Sequence, residues 1–362
     1  MWPDRRLLDL FKIEHPIVLA PMAGAVDADL VVAVAEAGGL GSLPVAMFNE
    51  QQMREQMAKV RAGTRKAINL NFFCHTPPVP SNAREHAWRE ALKPYYEEYG
   101  IDPAAPVPSS NRTPFDADLC AAVEELKPEI VSFHFGLPEA SLLSRVKAAG
   151  CLVMSSATTV AEARWLEANG CDVVIAQGYE AGGHRGMFLS DNLATQIGTF
   201  ALVPQIVDAV KVPVIATGGI TDARGIVAAL ALGAAAAQVG TAYMFCPESK
   251  IRPPHRALLE AAHDKGIDDN TAVTNLLTGK PARGFINRVM RELGPINDVA
   301  PEFPLAGGAL GPVAAKALAQ GSGDFSTLWA GQAASLGRAM PARDLTLRLV
   351  EETQGLLKRM AA

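Results

Sequence analysis

Two histidines stand where proton transfer would be useful. His184 lies in Gln177-Gly-Tyr-Glu-Ala-Gly-Gly-His-Arg-Gly186, directly after an apolar run, with glycines on both sides that expose backbone around one titratable ring. Imidazole is the side chain whose ordinary pKa suits proton transfer near neutral pH. Gln177 opens that stretch with an amide able both to donate and to accept at the edge of a heterocycle. The glycines predict a flexible loop. His134 sits within Val131-Ser-Phe-His-Phe-Gly136. In a strand, Ser132, His134 and Gly136 share one face; the ring fits a satisfied core position and an active site equally well.

A second pattern concerns phosphate. The run Val212-Pro-Val-Ile-Ala-Thr-Gly-Gly219 and the run Ala236-Ala-Gln-Val-Gly-Thr241 each end in small residues. Successive small residues let backbone N–H groups approach an anion, and a following helix adds positive potential. Two such turns on adjacent elements predict a phosphate-bearing ligand. Asn69 and Asn71 alternate in Ile68-Asn-Leu-Asn-Phe72, which puts two amides on one strand face in need of partners. Ala20-Pro-Met-Ala-Gly24 turns sharply after an apolar run. No metal-ligand spacing and no nucleophile motif occurs, so hydrolase chemistry has little support.

These residues need a scaffold that gathers strand ends. Nearly continuous apolar runs occur at 16–20, 40–45, 67–73, 130–135, 152–156, 173–177, 212–217 and 236–241. Such runs suit a parallel sheet covered on both faces. Amphipathic segments lie between them, with Thr159, Asp222 and Pro138 at expected helix starts and Gly38, Gly63, Gly150, Gly170 and Gly233 at expected ends. The pattern predicts a (β/α)8 TIM barrel, whose ligands bind at the C-terminal strand ends. An open doubly wound sheet needs a glycine-rich turn leading into a helix, whereas Gly38-Gly39-Leu40-Gly41 leads into a strand. The reading divides the chain into a barrel over 1–252, with a Pro-rich insertion at 74–114 after the third strand, and a helical closure and extension over 253–362.

Composition narrows the function classes. The chain has 362 residues, 33 Lys and Arg against 38 Asp and Glu, and a net charge of −5. No basic cluster recommends nucleic acid. No apolar run reaches the ~20 residues of a membrane span, and no signal-peptide pattern opens the chain. Five scattered cysteines without a CxxC fit reduced thiols and a cytoplasmic setting. The oligomeric state stays open, a homodimer included.

Taken in order, Ala20-Pro-Met-Ala-Gly24, Ala37-Gly-Gly-Leu-Gly41, Asn69, Gln177 to Gly186, Thr217-Gly-Gly219 and Gln238-Val-Gly-Thr241 resemble the nitronate monooxygenases, formerly 2-nitropropane dioxygenases. Phe303-Pro-Leu and Asp324 to Gln332 resemble the family's closing segment. The resemblance runs from about Pro16 to the end of the chain. It implies an FMN-dependent TIM barrel that oxidises alkyl nitronates of the propionate 3-nitronate type with O2, through a flavin semiquinone, to a carbonyl compound and nitrite, in detoxification. By the same resemblance Met22 and Asn69 lie beside the flavin, Gln177 bonds its ring, and Gly182 and Gly183 contact it. Gly218, Gly219, Gln238, Val239, Gly240 and Thr241 hold the phosphate. His184 and His134 are the active-site histidines; protonated, they would bind nitro oxygens, and a neutral His184 would take the α-proton of a nitroalkane. One departure is visible: the best-characterised subgroup carries tyrosines and a lysine in its C-terminal pocket segment, where this chain has no tyrosine and places Phe303. The runner-up is an NAD(P)H-dependent flavin reductase acting on quinones or enoyl thioesters. An aldolase or isomerase ordinarily needs a strand-end lysine or paired carboxylates, which are not evident.

Overall fold

A computed structural model describes residues 2–108, 112–265 and 270–361. Among the described residues eleven strands follow in chain order: β1 (Ile17–Leu19), β2 (Gly41–Pro44), β3 (Ile68–Phe73), β4 (Ile130–His134), β5 (Leu152–Ala157), β6 (Val173–Gln177), β7 (Gly183–His184), β8 (Val214–Thr217), β9 (Ala236–Val239), β10 (Thr271–Thr274) and β11 (Ala282–Phe285). Eight of them form one parallel sheet in the order β1-β9-β8-β6-β5-β4-β3-β2. Its edges meet: a bridge joins Val18 to Leu40, where the Leu19 amide donates to the Leu40 carbonyl and the Leu40 amide to that of Ile17. The sheet is therefore a (β/α)8 barrel, and the open-sheet alternative falls. Its strands read as continuous apolar runs because helices cover the outside while side chains fill the inside.

Local chemistry sets the helix ends. Asp27, Thr159 and Asp222 each accept a backbone N–H of the following first turn, and Asn49 forms a reciprocal capping box with Gln52. Two expected ends shift. Glu139, not Pro138, precedes the helix Ala140–Ala148, without a side-chain cap. Gly63 is the last residue of its helix, and Thr64 ends it.

The insertion supplies a support. Its helix Asn82–Glu98 packs against the helix Ala306–Ala319 in a cluster of its own. There the Trp88 indole N–H donates to the Ala306 carbonyl, and the Tyr96 hydroxyl donates to that of Ala309. The last helix, Ala342–Ala361, packs on the outer helices Ala223–Ala231 and Ala28–Glu36. The C-terminal third departs from a purely helical reading, since β10 and β11 form a hairpin there. Among the described residues no helix is long and apolar enough to cross a membrane.

Candidate active site

A cavity of about 570 Å3 opens at the C-terminal ends of the barrel strands. Eleven of the residues expected from sequence line it: Met22, His134, Gln177, Gly182, Gly183, His184, Gly218, Gly219, Gln238, Gly240 and Thr241. Asn69 and Val239 lie behind the wall. Asn69 is fully buried, and its Nδ2 donates to Ser132 Oγ at 2.9 Å. Asn71 shares that hydroxyl at 2.9 Å; two residues nearer the mouth, it is the amide that lines the cavity. Val239 buries its side chain in the core while its carbonyl accepts the Ala20 amide.

The glycine-framed segment is not the flexible loop that its composition predicts. Gly183 and His184 form β7, which pairs antiparallel with Arg283 and Ala282 of β11. Gln177 ties the segment to the barrel from inside: its Nε2 donates to the His184 carbonyl at 2.9 Å, and its Oε1 accepts the Gly186 amide at 2.8 Å. Arg185 ties it from below. This side chain is 1% exposed and donates to Gln196 Oε1 at 2.9 Å, the Gly178 carbonyl at 2.6 Å and the Gln177 carbonyl at 2.8 Å. Sequence reasoning passed over Arg185 because a charged residue in a glycine-rich stretch reads as solvated.

Both site histidines are neutral. His134 Nε2 bonds the His184 carbonyl at 3.1 Å, and its Nδ1 meets Ser156 Oγ at 3.0 Å. A carbonyl only accepts, so the network assigns the proton to Nε2 and leaves Nδ1 to accept from the serine. Burial pushes this imidazole down to about 4. With both nitrogens engaged, His134 holds the β7 backbone. His184 Nε2 meets Thr278 Oγ1 at 2.9 Å, and that hydroxyl donates weakly to the Lys280 carbonyl at 3.4 Å. His184 therefore donates through Nε2 and keeps Nδ1 as its basic nitrogen. Burial holds its pKa well below the ordinary imidazole value, helped by the positive charges of Arg112 and Lys280. Of the two protonation states that the sequence leaves open, the site favours the neutral one: removal from water and nearby cations both disfavour a second proton.

Aromatic rings surround His184, with centroids at 6.1 Å for Phe73, 5.9 Å for Phe135, 5.2 Å for Phe303 and 5.5 Å for Trp329. Lys280 Nζ lies 5.1 Å from the Phe135 centroid, and Arg112 lines the cavity. His75, buried and lowered to about 4 chiefly by burial, stacks edge-on to Phe303 at 4.8 Å. Phe73, His75 and Phe135 end or closely follow barrel strands, so the strand-end rule signals them; Arg112 and Lys280 lie farther along connections and have no such signal.

The opposite rim is a cradle built largely of backbone, with glycines at its turns. Gly218 and Gly219 adopt left-handed φ values of +116° and +68°, a region glycine enters without strain. Thr199 Oγ1 donates to the Gly218 carbonyl at 2.9 Å, while Glu180 accepts the Thr199 amide and faces its hydroxyl. Gln238 is 8% exposed, and its Oε1 is buried without a partner. Thr241 Oγ1 accepts the Gly331 amide at 3.0 Å.

A family model described as nitronate monooxygenase matches residues 4–352. The nitronate monooxygenase of Paraburkholderia phytofirmans is 42% identical, over 98% of this chain and 97% of that protein. That of Pseudomonas aeruginosa is 40% identical, over 97% and 99%. Among solved structures, the nitroalkane oxidase from Streptomyces ansochromogenes superposes with a TM-score of 0.88 at 35% identity, covering 98% of this chain and 99% of its own. FabK from Thermotoga maritima follows at a TM-score of 0.73 and 27% identity, covering 98% of each chain.

Proposed function

The chain belongs to the nitronate monooxygenase family, and on that premise we propose that it oxidises alkyl nitronates, the class that includes propionate 3-nitronate, with bound FMN and O2 to a carbonyl compound and nitrite. The observation that carries the reading is the neutral His184 on the cavity wall with cations around it. Burial and the charges of Arg112 and Lys280 make Nδ1 a weak base when no anion is beside it; the nitronate formed next to the ring offsets those charges, so Nδ1 takes the α-proton of a nitroalkane as the ion pair forms. A substrate that enters as the nitronate needs no base at all. Thr278 sets the His184 tautomer; His134 and Gln177 hold its backbone. The rings of Phe73, Phe135 and Phe303 exclude water, which strengthens charge interactions inside the site.

The residues present fit FMN. The orphaned Gln238 Oε1 marks a buried polar group awaiting a partner, and the turns at Gly218, Gly219, Gly240 and Thr241 offer backbone donors to a phosphate. Met22, Gly182 and Gly183 would flank the ring, and Gln177 would reach it only with whatever bonding capacity β7 leaves. Bound flavin supplies the one-electron chemistry. Five free cysteines suit a reducing cytoplasmic setting.

The test is oxygen uptake by the FMN-loaded protein given an alkyl nitronate without NADH, with nitrite assayed afterwards. Uptake with matching nitrite supports the reading. A yellow, folded protein that ignores nitronates but whose flavin is bleached by NAD(P)H overturns it in favour of a reductase. In His184→Ala, loss of the base lowers kcat/KM for neutral nitroalkanes by about 10²–10⁴-fold, with a much smaller loss on preformed nitronates and with flavin retained. Equal losses on both substrate forms refute the proton-abstraction role.

A further inference from the structure

The cavity lining extends beyond the histidine wall. It continues along the helix Ala306–Ala319, where Gly307, Gly311, Ala314, Ala315 and Leu318 line it. Their spacing puts them on one helical face. The opposite face, with Ala306, Ala309, Val313 and Ala317, is packed against the insertion helix Asn82–Glu98. The helix is thus held from behind and cannot collapse into the space in front of it without losing that packing. An ideal Cβ built on Gly311 meets nothing within 4 Å, so the space at this residue is open. Leu277, Leu310 and Phe325 add further apolar side chains to the wall, with the hydroxyls of Ser326 and Thr327 next to Phe325 in the same lining.

We propose that this arm binds an alkyl chain of the substrate, making Gly311 a specificity-determining residue and extended alkyl nitronates the favoured class. The inference rests on the nitronate reading above. A chain seated in the arm exchanges water for apolar contact, which is worth about fourfold in kcat/KM for each fully buried methylene. Chain length is then read at the arm while the nitronate head stays beside His184.

The test compares ethyl, butyl and hexyl nitronates on the FMN-loaded protein and on Gly311→Leu and Ala314→Leu. For the unaltered chain, kcat/KM rises with length. Each leucine fills the arm, so the hexyl-to-ethyl ratio falls roughly tenfold or more, as loss of two or more buried methylenes requires. A length series that is flat in the unaltered chain overturns the proposal even if neither variant folds. A ratio unchanged in a folded variant overturns it too, as does loss of bound flavin from both folded variants, which assigns the arm to the cofactor. Failure of the nitronate reading is separable: if no nitronate yields nitrite, calorimetric titration with ethanol, butanol and hexanol still reads the arm. Affinity that rises with length and is lost in Gly311→Leu then supports an alkyl site, and no length dependence overturns it.

Discussion

Arg185→Met removes the anchor beneath the active-site segment. The guanidinium is 1% exposed and donates to three acceptors, Gln196 Oε1 and the carbonyls of Gly178 and Gln177. Methionine matches its length and apolar stem but offers no donor. A buried acceptor stripped of its donor costs about 1–3 kcal/mol; the Gly178 carbonyl keeps the Ala181 amide, so the Gln196 and Gln177 oxygens put the gross loss at about 2–6 kcal/mol. Relief of burying a charge offsets part of it; burial already pushes the Arg185 pKa down to about 10. A net loss of about 3 kcal/mol remains the expectation. At roughly 2 °C per kcal/mol for a large chain, Tm falls by about 6 °C. The damage concentrates where the two carbonyls end β6 and begin the turn to β7, so Gly182 and Gly183 shift and FMN binds more weakly. Thermal melting with and without added FMN, together with flavin per chain after gel filtration, measures both effects. Arg185→Lys keeps the charge without the three-pronged fork and falls between the two proteins. A methionine variant that melts within about 1 °C of the parent and stays yellow refutes the reasoning, because the three bonds would then contribute nothing net.

Two further outcomes follow from the same geometry. Gly218→Val forces a side chain onto a left-handed backbone and brings Cβ to 2.8 Å from Thr199 Oγ1 and 3.1 Å from the Ala181 amide nitrogen; strain of about 1–3 kcal/mol opens the turn, and the purified protein is colourless, whereas a fully flavinated variant removes this turn from the phosphate site. Stability also falls with acid: His134, His75 and His255 are lowered from 6.5 to about 4 in the fold, chiefly by burial. The folded chain therefore binds fewer protons than the unfolded chain between those values. Stability is intact above pH 6.5 and is lost as pH falls toward 4, with a slope of up to about 1.4 kcal/mol per pH unit for each imidazole. Urea midpoints at neutral and mildly acidic pH check this, and a midpoint that stays level or rises on acidification contradicts it.

Much of this protein is legible before any coordinates. The eight apolar runs are the eight barrel strands, since a strand buried on both faces must be apolar throughout, and parallel pairing needs the helices between. The small residues Gly218-Gly219 and Gly240-Thr241 after two of those strands mark the rim opposite His184, and the left-handed backbone of the first pair admits glycine without strain. What the linear chain does not contain is distance between segments far apart in order. Thr278 reaches His184 across 94 residues, and only that contact assigns the imidazole its tautomer. Arg112 and His75 from the β3–β4 connection and Lys280 from the β10–β11 hairpin surround the same ring, and burial, with the charges of Arg112 and Lys280, decides that it is neutral. Asn69 and Asn71 show the limit most plainly: alternation puts both on one strand face, and only the depth of the barrel separates the amide inside the core from the one at the cavity. Sequence pattern determined the barrel and the ends of its strands, because periodicity and turn chemistry are local. Tertiary structure alone decided protonation, the tether of β7 and the arm along Ala306–Ala319, because desolvation, charge and open space depend on everything packed around a residue.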